Sequence, residues 1–235
     1  MGSKFMVRER TPFWFMLYAV YVYFCSNSLR RASNILEPLR RRSYVSIWRW
    51  VQRLAPISNR FHADRRMVSF ILIDETMIHI ARLEVWLWVA FEPERRVFLG
   101  FHISYQRNTW DAYIFLKHLR SRYGRKPIYT DEASWYPEAC RWLRLNHHIY
   151  GYGWWKLMER MNETIKDRLE CFDDLFPCWK PDCDKEHVPN WLKLFQFIYN
   201  YVRVHTELGH PPVETIRGSE ASRFRRLILR EVSLR

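Results

Sequence analysis

Val68-Ser69-Phe70-Ile71-Leu72-Ile73-Asp74 is a run of mostly apolar residues that closes on a carboxylate. It is too apolar for a strand with one wet face, so it predicts a strand buried on both sides that delivers an acid. Glu84 to Phe91 and Arg95 to Ser104 are two further strand-like runs, joined by Glu92-Pro93-Glu94 as a hairpin signal. Strands one to three are therefore expected as an antiparallel meander. Asn108-Thr109 can cap a helix over about 110–123, where Ala112, Phe115, Leu116 and Leu119 share a face and Gly124 ends it. Pro127 to Thr130 reads as a fourth strand, followed at once by a second acid, Asp131. A helix from about Ser134 to Leu145, a fifth strand at Ile149-Tyr150-Gly151 and a long helix from about Trp155 to Cys171 complete an α/β body.

Upstream of this body the pattern is helical. The apolar run Phe13 to Cys25 is too short to span a bilayer, which needs about 20 residues, and it lacks the small-residue cleavage site of a secretion signal. A buried first helix accounts for it. Ser26-Asn27-Ser28 is a capping cluster, and Leu29, Ala32, Ile35 and Leu36 form one face of a second helix that Pro38 closes. After the basic turn Arg40-Arg41-Arg42, residues Ile47, Trp50, Val51 and Leu54 make a third apolar stripe. Two short helices around a basic turn predict a helix-turn-helix over residues 1–60. In that arrangement Arg42, Tyr44, Ser46, Arg49 and Arg53 face phosphates and base edges. An ordinary helical hairpin is the bland alternative. Pro56 and Ser58-Asn59-Arg60 read as a linker to the body, residues 61–214, and residues 215–235 as a basic tail.

The charge supports a polyanionic partner. The chain of 235 residues carries 38 Lys and Arg against 25 Asp and Glu, a net of +13. Residues 1–66 hold 13 of the cations and only Glu9, Glu37 and Asp64, or +10, which leaves +3 for the rest. A basic head on a nearly neutral body favours nucleic acid over an anionic membrane. An aromatic content of 17% adds rings for packing and for stacking on bases. Five cysteines, an odd number, make no disulfide framework, so a reducing cytoplasm, on the nucleoid, is the expected location. Cys171, Cys178, Cys183 and His187 compose a chemically allowed Cys₃His zinc set, although their spacings lack the tight two-residue knuckle and buried cysteines are the simpler reading.

Single acids after strands are usually turn formers; the value lies in the set. Acids on strands one and four and on a later helix suit two Mg²⁺ (or Mn²⁺) ions about 4 Å apart, which need hard oxygen ligands to activate a hydroxyl and stabilise a leaving oxygen. At this point the sequence resembles a family. Leu72-Ile73-Asp74-Glu75-Thr76, Trp86-Leu87-Trp88, Tyr129-Thr130-Asp131, Trp135 to Cys140, and Glu159-Arg160 followed by Ile165-Lys166-Asp167-Arg168 are similar to stations of insertion-sequence DDE transposases. Phe172 to Cys178 and Tyr199-Asn200, Arg203-Val204-His205, Leu208 and Pro211-Pro212 resemble the end of such enzymes, the archaeal type in particular.

The resemblance implies a ribonuclease-H-like, retroviral-integrase-like catalytic domain: a mixed five-stranded sheet flanked by helices behind an all-α helix-turn-helix head. It implies a catalytic, metal-holding triad of Asp74, Asp131 and Glu159, with phosphate contacts from Arg160, Lys166 and Arg168. Glu163 lies one turn beyond Glu159 and is the alternative third acid; the family places its glutamate just before an arginine and seven residues before a lysine, which fits Glu159, Arg160 and Lys166. Two departures stand out. Glu132-Ala133 occupies the place where the family usually has glycine after the second aspartate, and Trp154-Trp155-Lys156 fills a stretch that often holds asparagine. The implied function is a transposase that binds double-stranded DNA at terminal inverted repeats, acts as a dimer or higher oligomer, and cuts and joins DNA. Two alternatives remain open: a catalytically decayed or repurposed DNA-binding protein of the same fold, and a metal-dependent nuclease.

Overall fold

The computed structural model describes residues 11–58, 61–80, 83–169, 175–176 and 186–213. Three helices form the head: α1 (Phe13–Ser26), α2 (Leu29–Leu36) and α3 (Tyr44–Ser58). Helix α1 is apolar nearly all round and accordingly buried, from Phe15 to Phe24 along most of its length. It stops at Asn27, whose left-handed backbone (φ 58°) a short polar side chain tolerates. Ser28 Oγ then accepts the Arg31 N–H at 3.3 Å and starts α2. Ser43 Oγ likewise accepts the Ser46 N–H at 3.3 Å at the start of α3. No described helix is long and apolar enough to cross a membrane.

The sequence reading of Pro56 as a linker is corrected: α3 runs through it to Ser58. Proline forgoes the bond that an N–H there would give to the carbonyl four residues back, a single loss close to the helix end, and its ring is exposed while Leu54 and Ala55 are buried. Asn59 and Arg60 lie outside the described residues.

The body is one sheet with helices on both faces. Strands β1 (Ile71–Ile80), β2 (Leu83–Glu92) and β3 (Val97–Ser104) form the expected antiparallel meander, while β4 (Ile128–Thr130) and β5 (His147–Ile149) add in parallel, in the order β3-β2-β1-β4-β5. A two-residue β6 (Leu175–Phe176) lies parallel to β1 at His79–Ile80. Helices α4 (Thr109–Tyr123), α5 (Trp135–Trp142), α6 (Tyr152–Lys166) and α7 (His187–Phe197) follow, the last running into a π-type turn at Ile198–Val202. Asn108 caps α4 as expected, its Oδ1 accepting the Asp111 N–H at 2.9 Å, and Gly124 ends it at φ 82°. This is the mixed five-stranded, helix-flanked architecture that the sequence implies, with a sixth short strand added.

Three details differ from the sequence reading. Asp74 does not end β1 but sits within it, because pairing with β2 continues to Ile80 after the β4 pairing stops at Leu72. The acid therefore stands where one edge of β1 opens, between β4 and β6. The fifth strand takes His147 and His148 into the sheet, with Thr130 Oγ1 and His147 Nε2 2.8 Å apart. Helix α6 begins at Tyr152 and ends at Lys166, earlier than expected at both ends.

Head and body share a core. Phe24 packs at a tilt, with centroids 5.5 Å apart, on Trp191 of α7, whose Nε1–H donates to the Tyr23 hydroxyl at 2.9 Å. Trp48 of α3 packs against Phe176 and His187, with centroids 5.7 and 5.6 Å away. At the far side, the outer strand β3 is closed by Asn200: its Oδ1 accepts the Phe98 N–H at 3.0 Å and its Nδ2 donates to the Phe98 carbonyl at 2.8 Å. A buried amide so placed replaces a strand neighbour.

Tyr23→Phe removes the acceptor of a buried indole N–H, which costs about 1–3 kcal/mol. Denaturant titration is expected to show that loss as a shift in midpoint, with head and body still unfolding in one transition; two separated transitions in the wild-type protein would contradict a shared core.

Candidate active site

Two carboxylates meet at the open edge of β1. Asp74 Oδ2 accepts the Asn162 Nδ2–H from α6 at 2.8 Å. Burial first, and the charge of Asp131 second, push the Asp74 carboxyl up to about 6. Asp131 follows β4 directly, and its Oδ1 accepts the Ala133 N–H at 3.1 Å, so a local turn fixes it. Parallel pairing of β4 with β1 brings two acids 57 positions apart in the chain within electrostatic reach.

A third carboxyl lies behind them. Glu75 is adjacent to Asp74 on a strand and so leaves the sheet on the opposite face. Its side chain is 2% exposed, accepts the Tyr136 hydroxyl of α5, and faces the Arg107 guanidinium at 3.8 Å. Burial is the main cause that pushes it up to about 7; Tyr136 and Arg107 act the other way, and the charges of Asp131 and Asp74 add to the rise. Arg107 lies 3.7 Å from the centroid of Trp86 and 5.3 Å from that of Trp135. Tyr150, raised by burial and by Asp74, Asp131 and Glu75, completes the surroundings.

The third expected acid is differently placed. Glu159 is exposed on α6, one turn before the buried Asn162 that touches Asp74. On a helix turning 100° per residue, Glu159 lies about 60° from Asn162 and Glu163 about 100° from it, so Glu159 is the nearer to the acid pair. Among the described residues, no three His, Cys, Asp or Glu side chains form a group that could hold a metal ion. The structure thus brings together Asp74 and Asp131 and leaves Glu159 at the rim.

The expected DNA contacts divide. Tyr44 and Arg49 are exposed on α3, and Arg30 lies over the Tyr44 ring at 5.5 Å. Ser46 Oγ is 3.1 Å from Ser43 Oγ at the helix start, and Arg53 is half-buried. Arg42 is engaged within the protein, donating to Thr11 Oγ1 at 3.2 and 3.1 Å and to the Arg41 carbonyl at 2.9 Å. On α6, Arg160 is exposed and Lys166 half-buried. Arg168 is turned inward: it donates to the Thr164 carbonyl and lies 5.9 Å from the Phe195 centroid, and burial, then Arg203, pull it down to about 10. Its geometry is that of a packing cation, not a free phosphate contact. Of the zinc set, Cys171, Cys178 and Cys183 lie outside the described residues; His187 opens α7 against Trp48.

Sequence reasoning passed over Asn162, Glu75, Tyr136 and Arg107 as site residues. Asn162 carried a usable signal, three residues after Glu159 on a helix. Glu75 did not, since its burial depends on α5 folding across the sheet.

Comparisons with known proteins found the following similarities. Residues 68–169 match the model of a DDE domain of insertion-sequence transposases. The uncharacterized protein MJ0017 of Methanocaldococcus jannaschii is 27% identical over 201 residues, 85% of this chain and 92% of that protein. The transposase for insertion sequence-like element IS431mec of Staphylococcus aureus is 31% identical over 107 residues, 43% of this chain; the match spans 47%, about half, of that transposase. Among solved structures, the simian T-cell lymphotropic virus intasome superposes with a TM-score of 0.49 at 19% identity, over 62% of this chain and 53% of that one.

Glu75→Gln tests the buried carboxyl. A folded-state value raised from 4.5 to about 7 means that the native protein holds this proton more tightly than the unfolded chain. The resulting stability is present below about 4.5 and is lost as pH rises through about 7. Measured with a chelator present, unfolding free energy of the wild type is expected to fall over that interval by about 3 kcal/mol more than that of the variant; equal slopes would remove the argument. Residues 68–169, which contain Asp74 and Asp131, match the model of a DDE domain, and part of the chain is similar in sequence to insertion-sequence transposases.

Proposed function

We propose that this chain is a DDE transposase that recognises the terminal repeats of its own element and cuts and rejoins DNA by two-metal phosphoryl transfer. The observation that carries the reading is the pair Asp74 and Asp131 at the open edge of β1, within the DDE-domain match. The residues suit divalent ions. Both acids are hard oxygen donors, and their mutual repulsion and burial favour a cation between them. The Oδ1 of Asn162, buried beside Asp74, has no hydrogen-bond partner. Asp74, Asp131 and Glu159 would hold the ions, Glu159 turning inward from the rim.

When bound, the ions activate a hydroxyl and neutralise charge on the leaving oxygen. The protein's own part is orientation. Asn162 fixes one Asp74 oxygen and so presents the other, and the turn at Ala133 fixes Asp131. Lys166, on the Glu159 flank of α6, and Arg160 supply positive charge for the phosphates alongside. The first reaction is attack of water on a phosphodiester to free a 3′-hydroxyl; the second is in-line attack of that hydroxyl on target DNA. No covalent enzyme intermediate is required. In the head, Tyr44, Arg49 and Arg53 of α3 face duplex DNA, and pairing two DNA ends calls for at least two copies of the chain.

The test is cleavage and joining of labelled duplexes carrying the DNA that flanks the gene, with Mg²⁺ or Mn²⁺. Asp131→Asn and Glu159→Gln are expected to reduce products to background, while Glu163→Gln keeps most of the activity. Loss in Glu163→Gln with retention in Glu159→Gln would reassign the third acid. DNA binding without products in any protein would favour a decayed or repurposed binder, the reading that the rim position of Glu159 and the presence of Glu132 support.

A further inference from the structure

The first turns of α6 expose an aromatic surface that nothing in the fold uses. Tyr152 is 68% exposed and Trp155 40% exposed, yet their rings lie 5.7 Å apart and within 18° of parallel. Large aromatics left in water cost hydrophobic free energy, and a near-parallel exposed pair is the shape on which a flat ligand stacks. The Lys156 ammonium sits 4.5 Å from the centroid of Tyr152, and Arg160 is exposed one turn further on. Flat rings beside cations suit a ligand with π faces and a polyanionic backbone, which is the chemistry of nucleic acid.

The placement says more. Rotation of 100° per residue puts Trp155, Glu159, Tyr152 and Lys156 on one flank, turning progressively away from Asn162 by about 20°, 60°, 80° and 120°. The rings and the expected metal-binding glutamate thus share the side of the helix next to the acid pair. Trp155 precedes Asn162 by seven residues, or about 10 Å along the axis. A stacked strand rises about 3.4 Å per nucleotide, so that distance corresponds to about three nucleotides from a phosphate held at the acids. A base in a duplex has both faces covered by its neighbours, so a ring platform of this kind takes an unpaired one.

We propose that Tyr152 and Trp155, with Lys156, form a stacking platform for unpaired bases of the DNA strand, about three nucleotides from the phosphate at Asp74 and Asp131. The proposal rests on the reading of the chain as a DNA-processing enzyme and adds to it a preference for ends with a frayed or single-stranded flank. Trp154, which packs against Phe70 at 5.8 Å, is the neighbouring ring that anchors the segment to the body.

The experiment compares binding of the full chain to a blunt duplex and to the same duplex with a short unpaired thymidine tail, by fluorescence anisotropy. A 2-aminopurine in the tail reports stacking directly. Wild type is expected to favour the tailed duplex by on the order of tenfold and to quench the 2-aminopurine. The double variant Tyr152→Leu, Trp155→Leu is expected to lose both effects while binding blunt duplex as before, and Trp155→Phe to retain most of the preference. Blunt-duplex affinity and the far-ultraviolet spectrum confirm that the variants are folded. Equal wild-type affinity for the two DNAs, no binding of either, or a preference unchanged in the double variant would each overturn the platform. Strand cleavage is read separately: tail preference without cleavage sinks the transposase reading alone, and cleavage without tail preference sinks the platform alone.

Discussion

Like charges held side by side in a poorly hydrated place raise each other's energy, and the structure around Asp74 and Asp131 is arranged about that cost. The pairing of β4 with β1 brings Asp131 towards Asp74, and burial keeps water from relieving the Asp74 charge. Asn162 offsets part of the penalty with one hydrogen bond, and Asp131 spends one oxygen on its own turn. Asp74 itself stands where β1 has no strand partner between β4 and β6. A third carboxyl, Glu75, is kept apart from them by the alternation of the strand and is met by a tyrosine hydroxyl and an arginine. Bound cations would lower that cost, which is what the proposed two-metal chemistry asks of the site.

The rest of the fold keeps those strands in register. Helix α6 brings Asn162 to β1, α7 packs on the head and on β3, and Asn200 closes the outer strand with two hydrogen bonds to Phe98. Tyr23, Phe24 and Trp48 of the head meet Trp191, Phe195 and Phe176 in one continuous apolar cluster. The aromatic richness of the sequence is thereby explained mostly as packing. The residue of it that remains in water, Tyr105, Trp110, Tyr152 and Trp155 among others, is the part that packing does not account for.

Much of this was legible before any coordinates. The uniform apolarity of Ile71 to Ile73 marks a strand buried on both faces, and Asn108 and Gly124 bracket α4 because capping is a local affair. What escaped depends on distant chain. Nothing local shows that β1 continues past Asp74, since the extension is held by pairing with β2; Pro56 looks like a break until α3 is seen packed along α7. Arg168 and Arg42 resemble phosphate-binding cations in sequence and are instead engaged by Thr164 and Thr11. Asn162 and Glu75 acquire meaning only when helix and sheet are superposed.

The docking of the head on α7 has a geometric result on the proposed function. Because α3 and α1 pack directly on the body through side chains such as Trp48 and Trp191, the span that the proposal sets between recognised base pairs and the severed bond is fixed by packing and not by a tether. Such an enzyme measures DNA with a fixed calliper: lengthening the spacer between repeat and cleavage point displaces the cut relative to the element boundary instead of being absorbed by a flexible joint.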